Sequence, residues 1–272
     1  MYLFATIIIC LILLYLLMIL PNLAHKREMT KYDGAKFAHR GYFTKDQKIP
    51  ENSILAFKEA LKHNLGIELD VRLTKDKQVV VFHDETLTRM CKDNRKVEHL
   101  TYAELRKLYL KHTSEKIPLL EDVLTLIDGR VPLLIELKLD TQDTILCNHV
   151  NDVLLGYRGD FLIQSFNPIA IRWFRLNAPN ILRGQLSSKL DGPDHKQSAF
   201  CRFLVRYLLL NWYNKPDFIS YKLADAEGNL SLSLIQNLFQ VSVGVWTLRT
   251  EEAYNLGKAN YNFIIFEKFK QN

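Results

Sequence analysis

Charge is absent from the nineteen residues after Met1: Tyr2 to Leu20 holds no acidic or basic side chain and stops at Pro21. A helix of that length reaches about 28 Å at roughly 1.5 Å per residue, close to the hydrocarbon thickness of a bilayer. The marks of a secretory leader, whose apolar region is usually only about 7–15 residues, are missing too. Nothing basic precedes the run, and Pro21-Asn22-Leu23-Ala24-His25 offers no small-residue cleavage site. The run is therefore expected to be an uncleaved transmembrane anchor. Cysteine is scarce. Cys10 lies inside the apolar run, and Cys91, Cys147 and Cys201 leave an odd three with no CxxC pair. These read as free thiols, compatible with a reducing compartment. The basic residues are scattered and form no nucleic-acid-binding motif, which argues against a nucleic-acid partner. A net charge of +6 suits an anionic membrane surface or an anionic substrate, although a surplus of solvated lysines gives the same number. No pattern in the sequence fixes an oligomeric state.

What is present has a globular balance, 48% hydrophobic and 24% charged, and that excludes a disordered or fibrous chain. Lys26, Arg27, Lys31 and Lys36 all follow the apolar run, so the positive-inside rule puts the body of the protein in the cytoplasm, as a single-pass membrane protein. The expected organisation is a transmembrane anchor over 1–21, a short polar linker over 22–36 and one domain over 37–272. That domain has the length of a single α/β barrel of about 250 residues, with no low-complexity stretch, long Pro/Gly/Ser linker or repeat in it. Strand-like runs at 36–39, 67–71, 79–83, 133–138, 161–165, 182–186, 217–221, 243–248 and 263–267 alternate with helical patterns, the signature of βα units. The expected fold is α/β, a (β/α)8 TIM-type barrel preceded by one N-terminal transmembrane helix. Nine runs for eight staves make one of them an extra or edge strand. Asn52 is the expected cap of a helix over 53–63, Thr101 and Glu104 form a capping-box pattern, and Pro118 opens a helix ending at Gly129. No room for a helix exists between Val71 and Val79.

The ionisable residues fall at the ends of these runs. Ile67-Glu68-Leu69-Asp70-Val71 alternates apolar and acidic residues, placing Glu68 and Asp70 on one face of a strand, and Leu134–Lys138 does the same with Glu136 and Lys138. Two more runs finish in His39 and His83. A lone charge at a strand end is ordinarily just emerging into solvent. Four strands ending this way is another matter, because the C-terminal strand ends are the catalytic face of such a barrel. Three carboxylates buried together need a cation to neutralise them, and all-oxygen ligands favour Mg2+ or Ca2+ over zinc. Two histidines beside such a site supply an acid and a base.

Phe37-Ala38-His39-Arg40-Gly41, Pro50-Glu51-Asn52-Ser53 with Ala56-Phe57, and Gly66–Val71 resemble the glycerophosphodiester phosphodiesterase family. So do Thr74-Lys75-Asp76 with Val79–Asp84, Ile117–Glu121, Ile135–Lys138 and Gln164-Ser165-Phe166, in the family's order and spacing. The resemblance implies a divalent metal, Mg2+ or Ca2+, held by Glu68, Asp70 and Glu136, with His39 and His83 as general acid and base in unassigned order. It also implies phosphate binding by Arg40 and Lys138, and Trp246 lining the substrate pocket, although a tryptophan there also serves as barrel filling. Asn52 would help to position the site. Ser165 and Phe166 divide between pocket lining and barrel packing. The implied activity is hydrolysis of glycerophosphodiesters to glycerol 3-phosphate and an alcohol. It runs in two steps, in which the substrate's own glycerol 2-hydroxyl attacks phosphorus and water opens the cyclic phosphate. A lysolipid or a glycerophosphate polymer at the membrane is the second expectation for the substrate, and a catalytically dead barrel that binds headgroups or partners is the third. One stretch departs from the family's Gly-x-Asp-Gly-Ile-x-Thr-Asp-x-Pro: Tyr261–Phe269 has Phe266-Glu267 for the Thr-Asp pair and no proline, so the polar contact from Thr is expected to be lost. Finally, Phe200, Phe203, Leu204, Tyr207, Leu208 and Trp212 recur at helical spacing. They read either as an outer-ring barrel helix or as a segment resting on the bilayer.

Overall fold

The computed structural model describes residues 2–191 and 198–268; Met1, Phe269 and residues 270–272 of the expected segments lie outside them. Strand β1 (Lys36–Ala38) pairs in parallel with both β2 (Gly66–Leu73) and β9 (Phe263–Phe266). The sheet closes between them through β4 (Leu133–Leu137), β5 (Phe161–Ser165), β6 (Arg183–Ser187), β7 (Phe218–Lys222) and β8 (Ser242–Leu248). Eight parallel strands with helices on their outer side make the closed barrel. The ninth run, β3 (Val79–Val81), is the extra one. It folds back antiparallel on β2, with Val71 opposite Val81. A tight turn explains why no helix fits between them: Thr74 Oγ1 donates to Asp76, Gln78 N donates to Thr74 Oγ1, and Lys77 takes a left-handed φ of 63°. From β3 the chain makes an excursion with its own small core, including Phe82, Leu87, Met90, Leu100, Leu105 and Ile117. It returns through the helix Leu120–Ile127 to β4.

Several strands end a residue or two before the sequence pattern does. His39, Lys138 and Glu267 lie just past the last residue of β1, β4 and β9. His39 N still donates to Phe266 O and Lys138 N to Val71 O, so their side chains leave the ladder at its edge. The helix that follows β1, Ile54–Lys62, is capped by Ser53, whose Oγ accepts from Ala56 N, and not by the expected Asn52. Asn52 sits at φ 54° with its side chain committed elsewhere. Thr101 and Glu104 do form a capping box. Pro118 precedes its helix by two residues, and the helix stops at Asp128 and Gly129, both left-handed.

Inside the barrel, at the N-terminal ends of the strands, aromatic rings lie over glycines of the neighbouring strand. Phe37 faces Gly66, Phe218 faces Gly184 and Phe263 faces Gly244 in direct register. A Cβ on Gly184 or Gly244 would lie 2.0 Å from the ring it faces, so only hydrogen fits there. The rings also meet edge to face, Phe263 with Phe37 at 5.8 Å and with Phe218 at 5.6 Å. Each fully buried Phe contributes roughly 1.5–3 kcal/mol of transfer free energy.

The expected linker, 22–36, is packed across this same end. Met29 and Tyr32 are buried against Phe37, Leu134, Leu162 and Phe218. The Lys31 ammonium meets Asp160 at 2.6 Å, and Gly34 N donates to Asn262 O. Ahead of it, the helix Tyr2–Ile19 is the one helix among the described residues long and apolar enough to cross a membrane. The Phe200–Trp212 run is not a barrel-wall helix. It splits into Ala199–Arg206, with no buried residue, and Asn211–Asn214, joined through the buried Leu208 and Leu209.

Candidate functional site

Strand alternation carries the acidic residues inward. Glu68 and Asp70 share the inner face of β2, and Asp70 lies directly opposite Glu136 of β4. One carboxylate oxygen from each of Glu68, Asp70 and Glu136 lies within 4.8 Å of the others, and all three side chains are buried. The loop after β1 grips them from one side. Arg40, at φ 55°, donates its backbone N–H to Glu68 Oε2 at 2.8 Å. Asn52 Nδ2 donates to Asp70 Oδ2 at 2.8 Å, while Asn52 N donates to Arg40 O. Gly41, at φ 78°, makes this loop possible, since a Cβ there would stand 2.9 Å from Ala56 Cβ. Two cations complete the cluster. Lys138 Nζ lies 2.5 Å from Glu136 Oε1 and 3.0 Å from Asp70 Oδ1. Arg40 Nη1 lies 2.6 Å from Glu51 Oε1, with Nε 3.4 Å from Asp70 Oδ2.

Three buried carboxylates against two cations are short of positive charge. Burial, with Asp70 and Glu136 alongside, drives the Glu68 carboxyl well above the ordinary range. Burial raises Glu136 too, against the pull of Lys138. Burial also works on Asp70, but Lys138, His83 and Arg40 outweigh it and hold that carboxylate ionised. The cluster fits a divalent cation on two counts. Its donors are all oxygen, the preference of a hard ion. Asp70 Oδ1 is buried without a hydrogen bond, because Lys138 Nζ, although 3.0 Å away, lies outside hydrogen-bond geometry.

Each histidine is backed by a carboxylate, and each carboxylate is held by an arginine. His39 Nδ1 donates to Glu267 Oε1 at 3.0 Å, and Arg249 holds Glu267 through two bonds of 2.7 Å. His83 Nδ1 donates to Asp84 Oδ1 at 2.7 Å; Arg89 grips Asp84 and reaches Glu51, the partner of Arg40. A carboxylate only accepts, so the proton sits on Nδ1 in both rings and Nε2 is left for other work. Burial pushes His39 below the ordinary imidazole range, opposed by Glu267. Burial, then Lys138, brings His83 down to about 4. Both shifts favour the neutral form of the ring. Burial works to raise Glu267, but its bonds to His39 and Arg249 outweigh it and hold the carboxyl at about 2.

His39, Arg40, Glu68, Asp70, His83, Glu136 and Lys138 thus gather in one network. Trp246 stands on β8, half-buried; its Nε1 donates to Ser220 O, and its ring meets Phe166 edge to face at 5.6 Å. Ser165 is packing, its hydroxyl donating to Leu137 O. A cavity of about 460 Å3 lined by Arg72, Lys77, His99, Asp140 and Lys138 opens beside the cluster and shares Lys138 with it. Sequence reasoning missed Glu267, Asp84, Arg249 and Arg89. Asp84 follows His83 directly, which was a usable signal. Glu267 was in view only as a departure, yet it supplies a polar contact at this strand end.

The family model for the glycerophosphoryl diester phosphodiesterase family matches residues 39–268. A glycerophosphodiester phosphodiesterase of Caldanaerobacter subterraneus is 34% identical over 55% of this chain and 65% of its own length. The human lysophospholipase D GDPD1 is 30% identical over 59% of this chain and 54% of its own. The matched region spans about half to two thirds of these relatives. Among solved structures, a phosphodiesterase of Oleispira antarctica in complex with its product sn-glycerol-3-phosphate superposes with a TM-score of 0.69 at 22% identity, covering 87% of this chain and 94% of that one. A glycerophosphodiester phosphodiesterase of Thermotoga maritima does so with a TM-score of 0.66 at 23% identity, covering 85% and 93%. Those likenesses show the barrel; the match over 39–268 shows the family, and the chain belongs to the glycerophosphoryl diester phosphodiesterase family.

Proposed function

We propose that this chain is a metal-dependent phosphodiesterase that hydrolyses glycerophosphodiesters to glycerol 3-phosphate and an alcohol. The buried trio of carboxylates, flanked by two carboxylate-backed histidines, carries this reading. Glu68, Asp70 and Glu136 would hold one divalent cation, Mg2+ or Ca2+, which when bound draws charge from the phosphoryl oxygens. Arg40 and Lys138 bind the phosphate, and Trp246, with Phe166, walls the pocket for the glycerol side. One histidine accepts the proton of the substrate's 2-hydroxyl through Nε2 as that oxygen bonds to phosphorus, and the other donates a proton to the departing alcohol oxygen as its bond breaks. The tethered hydroxyl needs no second molecule in this step, which gives it a high effective concentration. In the second step the roles reverse, and water opens the cyclic phosphate. The neutral rings suit proton acceptance, and the anionic phosphodiester arriving beside them raises the donor's affinity for its proton. The product bound to the Oleispira antarctica protein fits the same chemistry.

The domain is anchored by an uncleaved single-pass helix over 1–21, with the barrel on the cytoplasmic side. Support comes from the contacts that the helix end makes: Asn211 Nδ2 donates to Ile19 O and Lys215 Nζ to Leu20 O, bonds of a kind that a discarded leader has no use for. The human lysophospholipase D relative and the helix together favour lysolipids as a second substrate class. Product analysis on soluble glycerophosphodiesters, lysolipids and glycerophosphate polymers, with Mg2+, Ca2+ or chelator, tests all of this. Release of glycerol 3-phosphate that stops with chelator is the expected result. No turnover of any substrate would leave a binding barrel instead.

A further inference from the structure

The N-terminal helix leaves the barrel in a defined direction. Its C-terminal end is fastened at the N-terminal end of β7. Asn22 N donates to Pro216 O at 2.8 Å, Asn22 Nδ2 to Asp217 Oδ1 at 2.6 Å, and Lys215 Nζ to Leu20 O at 3.0 Å. One turn earlier, the Tyr15 hydroxyl lies 2.8 Å from Ser231 Oγ. Ser231 stands in the first turn of the helix Leu230–Asn237, whose cap Asn229 bonds Tyr221 and Arg206 at the C-terminal end of β7. The helix therefore climbs the barrel wall toward the catalytic end, and residues 2–14, all exposed, continue past it. At 1.5 Å per residue those thirteen residues reach about 20 Å, roughly 10 Å short of a bilayer's hydrocarbon thickness.

The rim at that end supplies what is missing. The helix Ala199–Arg206 is tied there by bonds from Ser187 Oγ to Val205 O and from the Tyr221 hydroxyl to Arg206 O. Its Phe200 is 69% exposed and its Phe203 49%, and Leu230, beside Ser231, is 62% exposed. Arg202 and Arg206 lie on the same helix, Lys189 lies just past the end of β6, and Lys222 is the last residue of β7. Exposed aromatic and aliphatic side chains among basic ones are what an interfacial segment needs, and such segments sink about 5–10 Å into a leaflet.

We infer that the barrel docks on the bilayer by its catalytic end, with Phe200, Phe203 and Leu230 in the interface, and takes its phosphodiester from lipid in that leaflet. The docking follows from the direction of the helix and the rim; the lipid substrate rests in addition on the phosphodiesterase reading above. The full chain in phosphatidylcholine–phosphatidylglycerol vesicles tests it. An environment-sensitive fluorophore is placed on Cys201, with Cys10 and Cys91 replaced by Ser, or on Leu155→Cys at the opposite end of the barrel with Cys201 also replaced. Lipids bearing a shallow nitroxide should quench the first probe and spare the second. Phe200→Ser with Phe203→Ser should lower lysolipid turnover in vesicles by about tenfold or more, with soluble glycerophosphocholine turnover and the melting curve unchanged. An unquenched Cys201 probe, or equal quenching at both positions, overturns the docking. Equal loss on both substrates overturns the leaflet supply. Quenching at Cys201 without hydrolysis of any substrate would keep the docking and remove the phosphodiesterase.

Discussion

Glu267→Gln separates a positioning role for this residue from mere packing. The amide keeps the shape of the carboxylate and can still accept from His39 Nδ1, now 3.0 Å from Oε1, but it loses the charge and turns a donor in place of Oε2 toward Arg249 Nε. A hydrogen bond to a charged partner is worth about 1.5–3 kcal/mol against about 0.5–1.5 for a neutral one. The loss at His39 is then roughly 1–1.5 kcal/mol wherever the ring carries a proton in the transition state. At 1.36 kcal/mol per decade this is about a 5–15-fold fall in kcat. KM should hardly move, because Glu267 is set behind the ring. The pH profile adds a sign. Glu267 raises the affinity of His39 for its proton, against the burial that lowers it. Without that charge, the limb of the profile governed by His39 shifts to lower pH, whichever of the two histidine roles it plays. The assay is kcat and KM for a soluble glycerophosphodiester across the range where histidine titrates, at saturating metal. An unchanged kcat with an unchanged pH limb would refute the reasoning, whereas a purely structural residue would lower the melting temperature and leave the profile in place.

The same carboxylate makes a stability prediction. Its folded pKa of about 2 lies below its ordinary 4.5, so its contribution is complete above about 4.5 and lost as the pH falls toward 2. The gap in melting temperature between the wild type and Glu267→Gln should close over that window. Glu68→Gln should abolish metal-dependent turnover and leave the fold intact, and calorimetry showing unchanged Mg2+ and Ca2+ affinity would remove Glu68 from the metal site. His39→Ala or His83→Ala should cost about 10²–10⁴-fold in rate; wild-type turnover in either would remove the acid–base assignment. Gly244→Ala places a Cβ 2.0 Å from the Phe263 ring. It should destabilise by about 1–3 kcal/mol or more in urea melts, and an unchanged midpoint would show that the ring has room to move.

The barrel and its acidic cluster were legible because strand alternation is a local signal. Glu68, Asp70 and Glu136 announce an inward face within five residues each, and the structure joins them across the β2–β4 ladder. The identity of the ninth strand was not legible, because an apolar run such as Val79–Val81 reads the same whether it pairs forward or folds back. Asn52 has the side chain of a helix cap, but the pull of Asp70 takes it, and Ser53 caps instead. Glu267 and Arg249 lie 18 residues apart, and their bond to each other and to His39 exists only once β9 closes against β1. The Phe200–Trp212 run reads as one helical pattern, but where it breaks and which way its apolar side chains point depend on long-range packing that no window of sequence contains.

The segment between helix and barrel sets how far the barrel can range. Were residues 22–36 a slack tether, a flexible chain of that length would wander roughly 20 Å from its fixing point and let the barrel tumble. Instead Asn22, Met29, Lys31 and Tyr32 are spent on the barrel's own floor. With its helix in a bilayer, such a molecule has a mount and no leash. On the docking proposed above it would move only as its membrane lets it move, its opening would keep one attitude to that surface, and phosphodiesters in a facing membrane or an opposed vesicle would be out of reach.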